Sequence, residues 1–393
     1  EFYNGSLWQQ IAGTLVPDFQ ASSYFNTVIY TGNSTSGAYA STPYGQQDIS
    51  VGFTSDFSIF KARNSGTSGT SGNIVYDVIR GDYQYMNTTS GSASGSSGMA
   101  NGDAGGANLS NGVRVGDITD GSFGVNGSPG GAYSNGSYVS WNWIGGGTPT
   151  ASSSGTSQTP TANSKMVDGV SDTSNWATTT NGYPTTQSVN TSTGFSITQF
   201  TKASYGNPCT VPHSLGATPE FIISKIYNTT EDWVVWHKDI ENDYYLSFNR
   251  NGGTDGRTSS SFTFTTVDSN IIESQWTNAV QNWVFYAWTS ISGLSKFDKY
   301  TGSGVSGHAI ATGFAVGFLI IKRITNTDAY SDWYVFDNKR KTGVYSDQLS
   351  LNRSDAESTG TYVELTSIGF TLHTTASNLN NSSSDFIYIA FAG

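Results

Sequence analysis

Short runs of β-branched and aromatic residues, separated by polar turn residues, carry most of the apolar content of this chain. Typical runs are FIISKIY from Phe221, WVVWH from Trp233 and FLIIKRI from Phe318. Stretches rich in Ala, Leu, Glu and Lys, which favour helix, are nearly absent. β-Branched and aromatic side chains fit a pleated, half-buried surface, and clusters of turn residues end strands. The pattern therefore predicts an all-β protein.

Several of these runs recur in three segments, in the same order and with matching landmarks. Each segment contains an aromatic residue followed by Thr, a run with Lys at its fifth position, a run that ends in Asp or His, and a closing strand. In chain order these landmarks are Tyr30, Lys61, Asp77 and Tyr138; Phe200, Lys225, His237 and Trp283; and Tyr300, Lys322, Asp337 and Phe386. The recurrence predicts three copies of one structural module.

The closing strand of each copy alternates in a way that indicates its packing, because residues i and i+2 share one face of a strand. One face is always large and apolar, whereas the other is mixed. The large faces consist of Val139, Trp141 and Trp143; Val284, Tyr286 and Trp288; and Ile387, Ile389 and Phe391. This alternation is typical of a central strand in a sandwich of two sheets.

These landmarks predict three tandem antiparallel β-sandwich modules of a jelly-roll-like type. We place module 1 at residues 24–147, module 2 at 194–293 and module 3 at 294–393. About 100 residues suffice for a β-sandwich with its own core. Residues 1–23 are an N-terminal segment, and residues 148–193 are expected to be a linker followed by a small irregular segment. Module 1 also carries a Gly- and Ser-rich insertion, TTSGSASGSSGMANGDAGGANLSNG, which we expect to be a long loop.

Gly302, Gly304 and Gly307 have the spacing G-x-G-x-x-G, which binds a dinucleotide pyrophosphate where a strand precedes it and a helix follows. The sequence after Gly307 contains Gly313 and Gly317, each of which would cost a helix about 1 kcal/mol. The triple-glycine spacing is also missing from modules 1 and 2. A turn after the first strand of module 3 is therefore the favoured interpretation, and we predict no cofactor.

The composition of the chain disfavours two classes of binding partner, nucleic acids and membranes. Charged residues make up 12% of the 393 residues and the net charge is -11, so broad attraction to nucleic acid or to anionic lipid is disfavoured. The apolar runs are shorter than the ~18 residues that cross a bilayer. Cys209 is the single cysteine, which excludes an internal disulfide. We therefore expect no nucleic-acid or membrane partner, and stability that comes from packing or from assembly into a homo-oligomer.

The residue types that usually carry catalysis or hold metals show no recognisable arrangement. The four histidines are scattered, and neither H-E-x-x-H, C-x-x-C nor G-x-S-x-G occurs. The carboxylate pairs Asp239 with Glu241 and Asp328 with Asp332 are more typical of surface turns than of a hydrolase cleft. We predict no catalytic residue, no metal site and no cofactor, and hence a protein that is not an enzyme.

Three further features of the sequence can each be interpreted in two ways, as a functional site or as a structural element. The segment NRNGGTDG, from Asn249, has alternating oxygen-bearing side chains that suit calcium, but it lacks the spacing and terminal Glu of an EF-hand loop, which favours a hairpin. Cys209 has no His or Lys close by in sequence, which favours an unreactive thiol over a nucleophile. His237 occupies the position of Asp77 and Asp337, which favours a polar residue at a strand end over a catalytic base.

Two aligned tryptophans supply the candidate ligand-binding residues. Trp233 and Trp333 occupy matching positions in modules 2 and 3, where module 1 has Asn73. If exposed, such rings stack on sugars; if buried, they fill the second core face or a contact between modules. Tyr244 and Tyr330, in predicted loops, are alternatives for the same role.

The same landmarks resemble a known group of proteins. The run from GFSITQF at Gly194 through WVVWHKD, FYAWTSISGLSKFDKYTGSG, GFLIIKR, DWYVFDNKR and LSLNRSDAE to FIYIAFAG is similar to the tandem β-modules in large virion proteins of tailed bacteriophages of marine bacteria, such as cyanophages and pelagiphages. The similarity covers residues 194–393, and residues 24–145 more loosely. It implies a tail-fibre or other virion-surface protein whose partners are other virion proteins.

The repeats, the lack of a recognisable catalytic site and this resemblance together give the expected function. We expect a structural protein on the virion surface, in a tail fibre or appendage that contacts host surface glycans. We also expect the chain to form a homo-oligomer, for which a trimer is one candidate. A capsid decoration protein without a receptor role is the alternative. A polysaccharide-degrading tail enzyme is the third hypothesis, and it requires a groove lined by carboxylates.

Overall fold

The structure is a computed structural model of the chain. It describes residues 8–11, 14–17, 20–31, 47–64, 73–81, 85–93, 108–109, 112–115, 136–154, 156–177, 179–203, 206–240, 244–252, 255–256, 262–275, 281–325 and 331–393. Strands dominate these residues, and their helical elements are a 3-10 turn at Ala21–Ser23 and one helical turn at Ser377–Asn380. The predicted all-β class is confirmed. Much of the Gly- and Ser-rich insertion of module 1 lies outside the described residues.

The strands follow the chain in three groups. The N-terminal segment and module 1 contain β1 (Trp8–Ile11), β2 (Thr14–Pro17), β3 (Phe25–Thr31), β4 (Gln47–Ser50), β5 (Phe57–Ala62), β6 (Ile74–Asp77), β7 (Met86–Asn87), β8 (Asn108–Leu109), β9 (Gly112–Val115) and β10 (Ser137–Trp143). The segment before module 2 and module 2 itself contain β11 (Lys165–Val167), β12 (Val170–Ser171), β13 (Gly182–Asn190), β14 (Phe195–Lys202), β15 (Pro208–Pro212), β16 (Phe221–Ile226), β17 (Val234–His237), β18 (Tyr244–Ser247), β19 (Asp255–Gly256), β20 (Thr263–Val267), β21 (Ile271–Gln275) and β22 (Gln281–Trp288). Module 3 contains β23 (Ser295–Thr301), β24 (His308–Ala311), β25 (Val316–Arg323), β26 (Tyr334–Asp337), β27 (Lys341–Thr342), β28 (Tyr345–Ser350), β29 (Ser358–Thr366), β30 (Gly369–Leu372) and β31 (Asp385–Ala392).

Each module builds a large sheet with the same strand order. The order is β3-β10-β5-β6-β7 in module 1, and the corresponding parts are β14-β22-β16-β17-β18 in module 2 and β23-β31-β25-β26-β28 in module 3. The closing strand therefore lies between the first strand and the strand that carries the aligned lysine. The register also agrees, because each lysine lies opposite the second residue of the predicted closing run: Lys61 opposite Val139, Lys225 opposite Val284 and Lys322 opposite Ile387.

A smaller set of three strands covers one face of each large sheet. These strands pair in the order β4-β9-β8 in module 1, β15-β21-β20 in module 2 and β29-β30-β24 in module 3, where β29 also pairs with β28. Ile49 of the small sheet in module 1 packs with Phe60 and Tyr76 of the large one. In module 3, Phe370 packs on Tyr388 with ring centroids 5.3 Å apart. Each module is thus a sandwich with its own interior.

The opposite face of each large sheet packs against the other two modules. Ring pairs that join modules include Phe57 with Trp288 (5.8 Å between centroids), Trp143 with Phe318 (5.5 Å) and Phe221 with Phe297 (5.8 Å). The large apolar faces of the closing strands, predicted to line the inside of a sandwich, lie in this central core. The mixed faces line the sandwich interiors. The alternation correctly indicated buried faces, and the structure shows that the larger one is the contact between modules.

The described side chains of the central core pack closely. A cavity of about 10 Å³ lies where the three modules meet, lined by Phe57, Phe221, Phe318 and other apolar side chains. A buried water needs roughly 10–15 Å³ and two to four polar partners, which this lining does not offer. Aromatic and aliphatic side chains therefore fill the space between the modules.

The second part of the segment between modules 1 and 2, where a small irregular segment was expected, forms strands. Strand β13 pairs along β14 and extends the large sheet of module 2, and β11 pairs in parallel with β13. Trp176 is buried, with the Lys165 ammonium 5.3 Å from its ring centre. Although desolvation raises it, hydrogen bonds from Lys165 and Ser174 lower the pKa of Asp172 to about 2. This segment is therefore an edge extension of module 2.

The three spaced glycines lie in the turn between β23 and β24, as predicted. Gly304 and Gly307 have φ values of +68° and +93°, which glycine adopts without strain. A Cβ atom on Gly302 would lie 2.1 Å from the carbonyl oxygen of Asn381. A strand follows Gly307 where the dinucleotide fingerprint requires a helix, so the turn interpretation is confirmed.

Phe57→Ala tests whether the modules share one core. We expect it to lower the free energy of unfolding by about 3–5 kcal/mol, because it removes a buried ring from the central core. Because the Phe57 ring contacts module 2, native-state hydrogen exchange should become faster in modules 1 and 2 together. Val344→Ala, at a residue 55% exposed on a turn of module 3, is the control and should change neither quantity. Faster exchange confined to module 1 would contradict a shared core.

Candidate functional site at the interfaces between modules

The two candidate ligand-binding residues lie at contacts between modules. Trp233 and Trp333 are 1% and 0% exposed. The indole N–H of Trp233 donates to the carbonyl oxygen of Asn87 in module 1 at 2.9 Å, and that of Trp333 donates to the carbonyl oxygen of Ser247 in module 2 at 3.0 Å. Sugar stacking requires an exposed ring face, which neither residue has. The structure therefore corrects the expected ligand-binding role and places both rings in contacts between modules, the alternative weighed for them.

Module 1 makes the equivalent contact through a shorter side chain. Asn73 Nδ2 donates to the carbonyl oxygen of Leu351 in module 3 and lies 3.5 Å from that of Ser350. Asn87, Ser247 and Ser350 occupy the same register position in their modules. The contacts therefore run from module 1 to 3, from 2 to 1 and from 3 to 2, and they close a ring. We call these the 1–3, 2–1 and 3–2 interfaces.

A neighbouring Asn holds each tryptophan in place. Asn249 Oδ1 accepts the backbone N–H of Trp233 at 3.0 Å, while its Nδ2 donates to Asp232 at 2.8 Å. The corresponding distances in module 3, for Asn352 with Trp333 and Asp332, are 2.9 and 2.7 Å. Asn249, considered for calcium, is therefore part of the hairpin that supports the interface. Asp332, considered for a carboxylate pair, has the same structural role.

The three aligned lysines cross the same interfaces. Each is buried, and its ammonium donates to a backbone carbonyl oxygen of the neighbouring module. The pairs are Lys61 with Arg353 (2.7 Å), Lys225 with Gly91 (3.0 Å) and Lys322 with Gly252 (2.5 Å). Burial lowers the pKa of Lys61 to about 7 and that of Lys225 to about 8. Hydrogen bonds to carbonyl groups compensate part of the free energy lost when these amines leave water.

An Asp–Arg pair receives a side-chain donor at two of the three interfaces. At the 1–3 interface the Trp141 indole donates to Asp337 Oδ2 at 3.0 Å, and Arg340 Nε donates to the same oxygen at 2.6 Å. The Arg340 backbone N–H donates to Asp337 Oδ1 at 3.0 Å. The 2–1 interface repeats this arrangement with Tyr286, Asp77 and Arg80. Removing one partner of such a buried ion pair is strongly destabilising, because it leaves an uncompensated charge inside the protein.

The 3–2 interface has apolar residues and a neutral histidine at the same positions. Ile389, His237 and Ile240 occupy the places of the donor, the Asp and the Arg. His237 is fully buried, and its Nδ1 accepts the backbone N–H of Asp239 at 3.1 Å. Burial, followed by the charge on Lys238, lowers the pKa of His237 to about 3. A neutral imidazole suits this position, because a carboxylate here would lack an arginine partner.

The 1–3 interface joins the first and last modules and carries a further ion pair. Arg63 donates two hydrogen bonds to the Glu357 carboxylate, at 2.7 and 3.0 Å, and Arg340 donates a third at 2.9 Å. Although desolvation raises it, these hydrogen bonds lower the pKa of Glu357. Modules 1 and 3 are not consecutive in the chain, so closure of the ring depends on these noncovalent contacts.

Two acidic residues hold the chain as it leaves a closing strand. Asp56 Oδ2 accepts the backbone N–H of Gly145 at 2.6 Å, and Glu220 accepts the Ser290 hydroxyl at 2.9 Å. Asp56 is 2% exposed, and this burial raises its pKa to about 6. Glu220 also accepts the backbone N–H of Ser290 at 3.3 Å, so both carboxylates stabilise backbone at a module boundary.

An open cleft of about 340 Å³ lies beside module 1. Residues 78–81, residues 148–152 and Thr186 line it. The lining supplies backbone groups, hydroxyls and the Arg80 guanidinium, which is bound to Asp77. Among the described residues of this lining there is no carboxylate, histidine or aromatic side chain.

The other residues considered for chemistry are buried or dispersed. Cys209 is buried, and desolvation raises its pKa. His213 is buried, with Nε2 3.0 Å from the carbonyl oxygen of Asp268. Tyr244 is 36% exposed, whereas Glu241, Asp328 and Tyr330 lie outside the described residues. Within the described ranges, no group of three or more His, Cys, Asp or Glu is placed to hold a metal ion, and no helix is long and apolar enough to cross a membrane.

Sequence reasoning missed the Asp–Arg pairs. The sequence signal for these pairs is the motif Asp-x-x-Arg, whose Asp is the last residue of β6 (Asp77) and of β26 (Asp337). Module 2 has His237 and Ile240 at these two positions. The donors could not be found in the same way, because they come from a different module.

Asp77→Ala tests the polar group at the 2–1 interface. We expect a loss of about 3–5 kcal/mol in the free energy of unfolding, because Arg80 stays buried without its carboxylate. The triple exchange Asp77→His, Arg80→Ile and Tyr286→Ile installs the residues of the 3–2 interface and should recover part of this loss. Urea titration of both variants measures the difference. A triple variant less stable than Asp77→Ala would contradict the equivalence of the interfaces.

The stability of the fold should fall in acid through His237. Its pKa moves from 6.5 to about 3 on folding, so the unfolded chain binds the proton first, and stability is lost as the pH falls from 6.5 towards 3. His237→Phe should flatten this dependence. His213→Gln should flatten it less, because the pKa of His213 is lowered only to about 4.

Comparison of each variant with the unmodified chain at the same pH isolates these contributions. Asp56 acts in the opposite direction, because its raised pKa lets the folded chain gain stability as the pH falls through about 6. Urea titrations across this range give the slopes. An unchanged slope for His237→Phe would show that the histidine is not neutral in the folded chain.

Comparison with known proteins gives a family. One family model, described as Domain of unknown function (DUF7483), matches the chain twice, at residues 20–183 and 169–393. No curated protein and no solved structure matches the chain. The two matches together cover nearly its whole length, and the chain therefore belongs to the DUF7483 family.

Proposed function

We propose that this chain is a structural protein on the surface of a tailed-phage particle, in a tail fibre or a comparable appendage. The likeness of residues 194–393 to virion proteins of marine phages supports the location. The ring of three modules around one core supports a mechanical role. Other virion proteins are the partners implied, and a host surface glycan is the ligand of a fibre.

The main support for a structural role is that the buried ionisable side chains bind other parts of the protein. Catalytic groups must lie within hydrogen-bond reach of a substrate. Lys61, Asp77 and Arg340 instead lie inside the interfaces and bind neighbouring backbone or each other. These side chains hold modules together, and a rigid assembly of this kind suits a part of a particle that must resist force.

A capsid decoration protein is the second candidate, and the burial of Trp233 and Trp333 favours it. Without these rings the described surface offers less aromatic area for stacking on sugars. A fibre that binds glycans would then use other residues, such as the partly exposed Tyr244. A polysaccharide-degrading enzyme has the least support, because no pair of carboxylates lies among the described residues that line the 340 Å³ cleft.

Imaging of intact particles of the phage that encodes this chain, at a resolution that identifies side chains, tests the proposal. We expect density for the ring of modules on the outer surface of the particle. Copies clustered at the tail would support a fibre, whereas copies that follow the capsid lattice would support decoration. Particles that lack the chain would contradict both. Release of oligosaccharides from host polysaccharide by the purified chain would favour the enzyme.

A further inference from the structure

The residue opposite the aligned lysine differs in chemistry among the three modules. Lys61 of β5 and Asn73, the residue before β6, continue the antiparallel register of these two strands. In modules 2 and 3 the same register places Trp233 and Trp333 opposite the aligned lysines. An indole ring has no carbonyl carbon, whereas the side chain of Asn has one. Of the three aligned pairs, that of module 1 therefore combines an amine with a carbon that an amine can attack.

The amine and the carboxamide of this pair are buried and in direct contact. Both residues are 0% exposed, and Lys61 Nζ donates to Asn73 Oδ1 at 2.9 Å. Since a carbonyl carbon lies about 1.2 Å from its oxygen, Nζ lies about 3–4 Å from Asn73 Cγ. Reacting atoms held in a near-attack arrangement are roughly 3–3.5 Å apart, and such placement replaces a very high concentration of free reagent. The fold thus brings the two groups close to the distance at which they react.

Burial also makes the Lys61 amine a nucleophile near neutral pH. Desolvation lowers its pKa to about 7, while the charge of Asp355 opposes this shift and that of Arg340 adds to it. An amine attacks a carbonyl group only in its neutral form, which has a free electron pair. Lysines that act as nucleophiles in enzymes are activated by desolvation in the same way. Lys61 is therefore reactive under conditions in which an exposed lysine is almost fully protonated.

We propose that Lys61 and Asn73 form an intramolecular isopeptide bond. The electron pair of Lys61 Nζ attacks Asn73 Cγ, a new C–N bond forms, and the bond between Cγ and Nδ2 breaks. One proton of the amine passes to the departing nitrogen, which leaves as ammonia, and no group is oxidised or reduced. The product is a secondary amide between β5 and the residue before β6. It fixes the two side chains by which module 1 binds module 3.

The hydrogen bonds of the 1–3 interface accommodate the loss of ammonia. Asn73 Nδ2 donates to the carbonyl oxygen of Leu351, to which the Thr88 hydroxyl also donates. The hydrogen bond from Thr88 remains when Nδ2 leaves. The new amide keeps one N–H on the former Lys61 nitrogen, which lies 2.7 Å from the carbonyl oxygen of Arg353 and is available to it. Both carbonyl groups of module 3 therefore keep a donor after the bond has formed.

Mass spectrometry of the full chain tests the proposal. After incubation above pH 7 we expect an intact mass that is lower than the sequence mass by one ammonia, and a slower loss below pH 7, where Lys61 is protonated. Tryptic digestion of the denatured chain should leave the fragment that ends at Arg63 joined to fragment 64–80, which contains Asn73. An unchanged intact mass after prolonged incubation above pH 7, or separate fragments, would overturn the proposal.

Asn73→Trp is the matched control, because it installs the residue that modules 2 and 3 have opposite their lysines. Lys61→Arg keeps the positive charge without a reactive amine. Both variants should fold, which circular dichroism checks, and both should yield separate fragments. Asn–Gly sequences such as Asn251–Gly252 lose ammonia by cyclisation, and this loss would persist in both variants. Equal loss of ammonia from Asn73→Trp and from the unmodified chain would therefore contradict the proposal, whatever the role of the chain on a phage particle.

Discussion

The aromatic core shared by the three large sheets is the constraint on which the rest of the structure depends. Each large sheet has one large apolar face and one mixed face, and its own small sheet covers only the mixed one. A module alone would expose the ring faces contributed by residues such as Phe57 and Trp143, and a large exposed apolar patch of this kind favours association. Each buried aromatic side chain removes roughly 150–250 Å² from water, so this contact contributes a large share of the stability. The chain therefore supplies each module with the two partners that it needs.

An apolar core does not by itself specify which module lies next to which, since hydrophobic burial is not directional. The polar groups around the core add this information. Lys225 and Trp233 bind backbone carbonyl groups of module 1, and Lys322 and Trp333 bind the equivalent groups of module 2. A shift of one module along the next would leave these donors buried without acceptors, at a cost of about 1–3 kcal/mol each. The core thus provides most of the stability, and the polar groups select one arrangement.

Sequence patterns predicted the all-β class well, because β-branched runs and clusters of turn residues are local signals. Lys61, Lys225 and Lys322 were aligned correctly, yet the alignment did not show what they bind. Alternation shows that a face is buried but not what covers it, so the exposure of Trp233 and Trp333 and the packing of the closing strands needed the structure. Residues 182–190 were expected to belong to a small irregular segment, although they pair with β14 through backbone groups that do not depend on their side chains.

The polar groups at the three interfaces must change together. A buried Asp such as Asp77 is compatible with the interior because Arg80 balances its charge and Tyr286 from module 2 donates to it. Losing the arginine alone leaves a buried anion, and losing the donor alone leaves an acceptor with one partner fewer. The 3–2 interface differs at all of these positions, with His237, Ile240 and Ile389. Ile389 has no hydrogen-bond donor for Asp77. If module 3 replaced module 2 at the 2–1 interface, the Asp77 carboxylate would therefore lose the hydrogen bond that Tyr286 donates. Equivalent folds with unlike polar groups therefore fix one order of modules around the ring.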